Sequence, residues 1–195
     1  NGVDLDLFRP DAAILRAPDT LVVTGKMSYH ANVAMVLNLA REIMPLVWQR
    51  FPETKLQIVG KDPVPAIARL AEHPQVLVTG TVPEIRPYLQ QAAVAVATIQ
   101  YGVGIQNKIL EAMACGTPVV TTPQATTALE VEPGRDLLVG SDNQACADAI
   151  IALLADGSLR ERVGQSGRDY VTSRHSWQAI TGRLVDICCQ QPSLA

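Results

Sequence analysis

Basic charge is in short supply along this chain. Sixteen Lys and Arg face nineteen Asp and Glu, a formal net charge of −3 at pH 7, whereas proteins that grip a nucleic-acid backbone carry a basic surplus or stripe. No nucleic-acid partner is expected, and any bound anion must be held by a local site. Cysteine is equally sparse: Cys115, Cys146, Cys188 and Cys189 form neither a CxxC pair nor a Cys/His cluster at zinc spacing. They read as reduced thiols of a cytoplasmic protein, with no metal site. No apolar run approaches the ~20 residues that cross a bilayer. Neither GxGxxG nor GxxxxGKS/T follows any strand-like run, which removes the standard dinucleotide and P-loop fingerprints. An initiator Met is missing too: the chain opens NGVDLDLFRP, as a piece of a longer protein would.

What is present is material for a core. In 195 residues, 48% are hydrophobic and 18% charged, and a chain of this length buries about two-thirds of its unfolded surface without disulfide support. Residues 1–190 are expected to form one domain, with 191–195 a disordered tail. Short, continuously apolar runs recur at Leu21 to Thr24, Leu56 to Val59, Val76 to Thr79, Val94 to Ile99, Val119 to Thr121 and Leu137 to Val139, the pattern of strands covered on both faces. Helical patterns lie between them, at Asn32 to about Phe51, Val64 to Glu72, Glu84 to Ala92 and Ile105 to Cys115. Three more, at Asn143 to Ala155, Leu159 to Thr172 and Trp177 to Cys189, should cover the sheet. Pro45 should kink the first helix or end it near Met44.

Strand alternating with helix predicts right-handed crossovers and an α/β fold, a doubly wound, Rossmann-like parallel sheet. In such sheets ligands lie outside the carboxyl ends of the strands, so the loops to read are GKMSYHAN, GKDPVP, GTVPEI, QYGVG and TTPQATTALEVEPG. The stretch YGVGIQNKILEAMACGTPVV is the richest. Gly102 and Gly104 let the backbone approach an anion, and a helix starting near Ile105 aims free N–H groups and partial positive charge at it. Ile105, Ile109, Ala112 and Met113 share one helical stripe; Gly104, Lys108, Glu111 and Cys115 share another, with Lys108 nearer the mouth. Gly116 should occupy C′ and stop the helix. Spacing alone equally allows Lys108 and Glu111 to be a surface pair worth a few tenths of a kcal/mol.

The segment GIQNKILEAMACGTPVVTT, together with NGVDLDLFRP, TLVVTGKM, LQIVGKDP and TGTVPEIRPYL, resembles the C-terminal half of family-four glycosyltransferases. Its GxGIQNKxLEAMA form is similar to the subgroup of bacterial exopolysaccharide clusters. The resemblance implies a GT-B enzyme that retains anomeric configuration and uses a nucleotide-sugar, such as a UDP- or GDP-sugar, without metal or other cofactor. This chain would be its donor-binding half, inactive alone. The partner is then a missing N-terminal acceptor domain, through which the protein could also associate with a membrane surface.

The resemblance further implies that Glu111 binds the donor ribose hydroxyls. Its companion acid in the family falls at Val103 here, so the sugar must be held otherwise, by N–H groups of Gly102 to Ile105 or by Gln106 and Asn107. Where the family places two basic residues after the first strand, this chain has only Lys26, and Lys108 is expected to supply the second charge on the diphosphate. The base should rest between Gly60 to Pro63 and Thr81 to Glu84, against backbone near Val82. Glu130 and Glu132 read as solvated loop acids. Two other readings stay open at this point. One is a non-catalytic nucleotide-binding or interaction module with the same sheet. The other is a sugar-nucleotide epimerase, which would want more cleft histidines than His30 offers.

Overall fold

The protein is described by a computed structural model over residues 1–101 and 104–189. Its elements follow in chain order: β1 (Ala17–Thr24), α1 (His30–Asn38), a π turn (Leu39–Ile43), α2 (Met44–Trp48), β2 (Lys55–Val59), α3 (Pro65–Ala68) with a 3-10 turn (Arg69–Glu72), and β3 (Val76–Gly80). Then come α4 (Arg86–Gln91), β4 (Ala92–Ala97), α5 (Asn107–Ala114), β5 (Val119–Thr121), α6 (Pro123–Thr126), β6 (Leu138–Val139), α7 (Asn143–Ala155), α8 (Gly157–Arg174) and α9 (Trp177–Cys189). The strands form one six-stranded sheet in the order β3-β2-β1-β4-β5-β6, and each recorded pairing is parallel. Every residue of β4 is buried, because helices cover both faces of a doubly wound sheet.

All six apolar runs became strands. Four helices differ from expectation. Pro45 does not end the first one: a π turn precedes it, with Met44 N–H bonding back to the Leu39 carbonyl, and the path continues to Trp48. The wider turn absorbs the proline, whose missing N–H and bulky ring would strain an ordinary α turn. Helix α5 begins at Asn107, two residues later than expected, because Gln106 adopts extended backbone as its N-cap. The short α6 arises where only loop was expected. Finally, α9 packs chiefly on α8, leaving Trp177, Leu184, Val185 and Ile187 exposed.

Helix α5 is the element that positions the site, and its far end is firmly tied. Gly116 (φ +67) sits at C′ as expected; its N–H meets the Met113 carbonyl at 2.9 Å and the Thr117 N–H meets Ala112 at 3.0 Å, a Schellman ending. Arg16 donates to the Cys115 carbonyl at 2.9 Å and to the Ala92 carbonyl and Thr117 hydroxyl, each at 2.8 Å. Arg168 donates to the Ala114 carbonyl. Two guanidiniums thus satisfy terminal carbonyls and complement the negative end of the helix. Helix α8 can lie this close because a Cβ at Gly164 would stand 2.4 Å from the Gly116 carbonyl oxygen.

Candidate functional site

Strand order reverses between β1 and β4, and a cleft opens at the carboxyl edge there, as expected for a topological switch point. Its volume is about 480 Å³. The β1 loop contributes Gly25 and Lys26, the β2 loop Gly60 and Lys61, the β3 loop Thr81 and Val82, and the α5 region Ile105, Asn107, Lys108 and Glu111. The first two loops touch backbone to backbone: Gly25 N–H donates to Val59 at 3.1 Å and Met27 N–H to Lys61 at 2.8 Å. Gly60 has φ +155, and a Cβ there would lie 1.7 Å from the Gly25 carbonyl oxygen, so only glycine fits.

Lys108 is half-buried, and its ammonium donates to the Asn32 side-chain oxygen. Burial pulls its pKa down from 10.5 to about 8, against the charge of Glu111, which holds it up. That drop corresponds to at most roughly 3 kcal/mol against the charged form, about ten times what an exposed i,i+3 pair returns. Lys108 and Glu111 do not close an ion pair among the described residues. Both side chains are half-buried on the cleft wall, which a solvated surface pair that merely supports the helix would not be. Glu111 is raised above the ordinary carboxylate range by burial, with the charge of Lys108 opposing. The cation and the acid both sit in the cleft at a cost to the empty protein.

Lys26 is exposed, 4.0 Å from the Asp62 carboxylate, a pair too solvated to contribute much. Helix α5 has no side-chain cap at its N-terminus; the Ile109 N–H bonds back to the Gln106 carbonyl at 2.9 Å, and the N–H groups of Asn107 and Lys108 have no acceptor among the described residues. Gly104 (φ +83) shapes the approach to that end. Gln106 bonds the Gly104 carbonyl at 3.4 Å, and Asn107 accepts from Asn1 at 3.0 Å.

Of the residues singled out from sequence, Lys26, Val82, Ile105, Asn107, Lys108 and Glu111 meet in the one cleft. Gln106 and Gly104 lie beside it and do not line it. Gly102 and Val103 fall outside the described residues. Cys115, four residues on from Glu111, does not line the cleft: it is wholly buried beneath Arg16, and burial pushes its thiol up to about 12. Ile105 is only half-buried, at the cleft wall. The acids Glu130 and Glu132 pair with Arg174 and Arg135, each at 2.5 Å, on the surface. His30 stacks on Tyr101, ring centroids 5.5 Å apart.

Sequence reasoning missed two contributors. Lys61 also lines the cleft and was not singled out as a charge; its place directly after β2, inside the Gly60 to Pro63 loop, was the available signal. Asn32, 7% exposed, holds Lys108 and also donates to the Lys26 carbonyl at 2.9 Å. It closes the GKMSYHAN stretch that follows β1, but nothing in that stretch singles it out from its neighbours.

Residues 18–156 match the family model described as Glycosyl transferases group 1. The phosphatidyl-myo-inositol mannosyltransferase of Mycobacterium tuberculosis is 29% identical over 202 residues, covering 96% of this chain and 52% of that protein. Among solved structures, Anabaena Alr3699/HepE in complex with UDP and glucose aligns with a TM-score of 0.77 at 16% identity, over 98% of this chain and 56% of that one. The C-terminal domain of the group 1 family protein LpcC from Francisella tularensis aligns at 0.73 and 18% identity, over 91% of this chain and 100% of that one. At these identities the structural likeness establishes the fold. The chain spans about half the length of the mannosyltransferase it matches.

Proposed function

Because the chain belongs to the group 1 glycosyltransferases, we propose that it is the donor-binding half of a retaining GT-B enzyme and that its switch-point cleft holds the nucleoside diphosphate of a sugar donor. One observation carries this: Lys108 and Glu111 are half-buried one helical turn apart on the same cleft wall, each displaced from its ordinary pKa by burial. An anion beside Lys108 restores the charge that burial opposes. Vicinal hydroxyls donated to Glu111 do the same for its carboxylate, which suits a ribose.

The chemistry follows from where charge develops. Breaking the anomeric bond leaves negative charge on the departing nucleoside diphosphate, and the lysines that line the cleft, Lys26, Lys61 and Lys108, with the N-terminus of α5, are the groups that would stabilise it. Preorganised charge of this kind is commonly the largest catalytic contribution. Groups that orient the acceptor lie in the other half of a GT-B enzyme, so this chain binds donor and transfers little alone. The full-length relative from Mycobacterium tuberculosis is named for transfer of mannose to a phosphatidyl-inositol, which supports a bacterial polysaccharide or glycolipid acceptor and a membrane-surface setting. No helix among the described residues is long and apolar enough to cross a membrane. The base rests between the Gly60 and Thr81 loops, near Val82.

Calorimetric titration of the chain with UDP and with GDP tests the reading. Saturable binding of one of them, abolished or strongly weakened by Lys108→Ala, is expected. No heat and no thermal shift with either at millimolar concentration would overturn it.

A further inference from the structure

We infer that Asn32 is a positioning residue of the cleft: its amide ties the Lys108 ammonium to the backbone of the Lys26 loop, so that the two cations meet a bound diphosphate as one preset unit. The inference rests on the donor-site reading. Asn32 lies in the first turn of α1 and is almost wholly buried. Its oxygen accepts from Lys108, and its nitrogen donates to the Lys26 carbonyl at 2.9 Å. A donor on one side and an acceptor on the other leave the amide a single orientation, which no other side chain of that size reproduces. An aspartate would set a carboxylate against the Lys26 carbonyl, and a serine is too short to span both partners.

The neighbouring chain is built around this amide. A Cβ at Gly25 (φ +155) would stand 2.7 Å from the Asn32 side-chain nitrogen, so the bare Cα at that position is what admits it. Lys108 keeps two further protons free of protein acceptors among the described residues, while its aim is set from outside its own helix. The charged groups that share the cleft with it are Glu111 on α5, Lys26 on the β1 loop and Lys61 on the β2 loop, with Asp62 beside Lys26. Without the amide, Lys108 would have four rotatable bonds of freedom, and binding would have to order them.

The test has two arms on the intact chain. In the first, ¹³C-labelled lysine is titrated by NMR with no nucleotide present. Asn32→Asp, which keeps the shape, should move the Lys108 midpoint up by a pH unit or more, and Asn32→Ser should also move it measurably. In the second, UDP and GDP dissociation constants are compared for Asn32→Ser, Lys108→Ala and the double variant. Each single change should weaken binding roughly tenfold or more, and the double variant should lose clearly less than the product of the two single losses. A midpoint unmoved in both Asn32 variants, or losses that multiply in the double variant, overturns the inference. If the parent chain binds neither nucleotide, the donor-site reading fails, and the lysine titration still decides whether Asn32 governs Lys108.

Discussion

Two acids withdrawn from water receive opposite treatment in this protein. The Asp136 side chain is 1% exposed, yet it accepts from Arg135 at 2.9 Å, from the Glu132 N–H at 2.9 Å and from the Ser166 hydroxyl at 2.7 Å. Burial pushes its carboxyl up, but these hydrogen bonds and the charge of Arg135 together hold it below the usual range. Glu111, less deeply set, receives no such bond from the described residues and is raised. Arg16 and Lys108 repeat the contrast among the cations. Arg16 makes three bonds to the amino edge of the sheet and the end of α5, whereas Lys108 makes one and turns into the cleft. A structural charge is finished by the fold; the charges of the cleft are left for something else to finish.

That contrast can be broken by experiment. The largest effect is expected from Asp136→Ala, which leaves the hydrogen bonds of Glu132, Ser166 and Arg135 without an acceptor. Stability should fall by about 3 kcal/mol in urea unfolding, while the nucleotide dissociation constant stays within about twofold for the folded fraction. Lys108→Ala should do the reverse, weakening UDP or GDP binding roughly 30- to 100-fold with stability held or raised. A melting temperature that collapses in Lys108→Ala would place that lysine with the structural charges.

Glu111→Gln should cost roughly tenfold in nucleotide affinity and little stability, because no bond inside the protein is lost. Affinity for an anionic nucleotide should also fall as pH rises through about 8, where Lys108 gives up its proton. The stability sign is opposite. Lys108 is depressed in the folded state from 10.5 to about 8, so between those values the unfolded chain holds more proton and the contribution of Lys108 to stability improves with pH. The smallest effect belongs to Asp62→Asn, which removes the charge but keeps a residue that tolerates the φ of +57 there: the exposed Lys26–Asp62 pair at 4.0 Å should be worth less than about 1 kcal/mol, read from the same unfolding curves.

The sheet was legible because each strand announces itself locally: Val94 to Ala97 are apolar without interruption, as only a strand covered on both faces can be. The end of α5 was legible for a similar reason, since Gly116 needs a positive φ at C′. The course of the helix through Pro45 was not, because its π turn depends on contacts of Leu39, Ile43 and Met44 with the core. Lys108 and Glu111 could be placed on one face by spacing. Whether that face was wet could not, and the choice between a surface pair and a cleft pair turned on burial. Val103, where the family resemblance expects an acid, lies outside the described residues.

Sequence by itself determined the alternation of strand and helix, the parallel sheet that follows from it, and the family signature in LEAMACGTPVV, because periodicity, glycine stops and motif spacing act over a few residues. Only the tertiary structure decided which charges stay unsatisfied. Asn32 reaches Lys108 across 76 residues of chain, and Gly25 and Gly60 must press together before either loop can shape the cleft. Desolvation depends on everything packed around a group, and no local stretch of sequence contains that information.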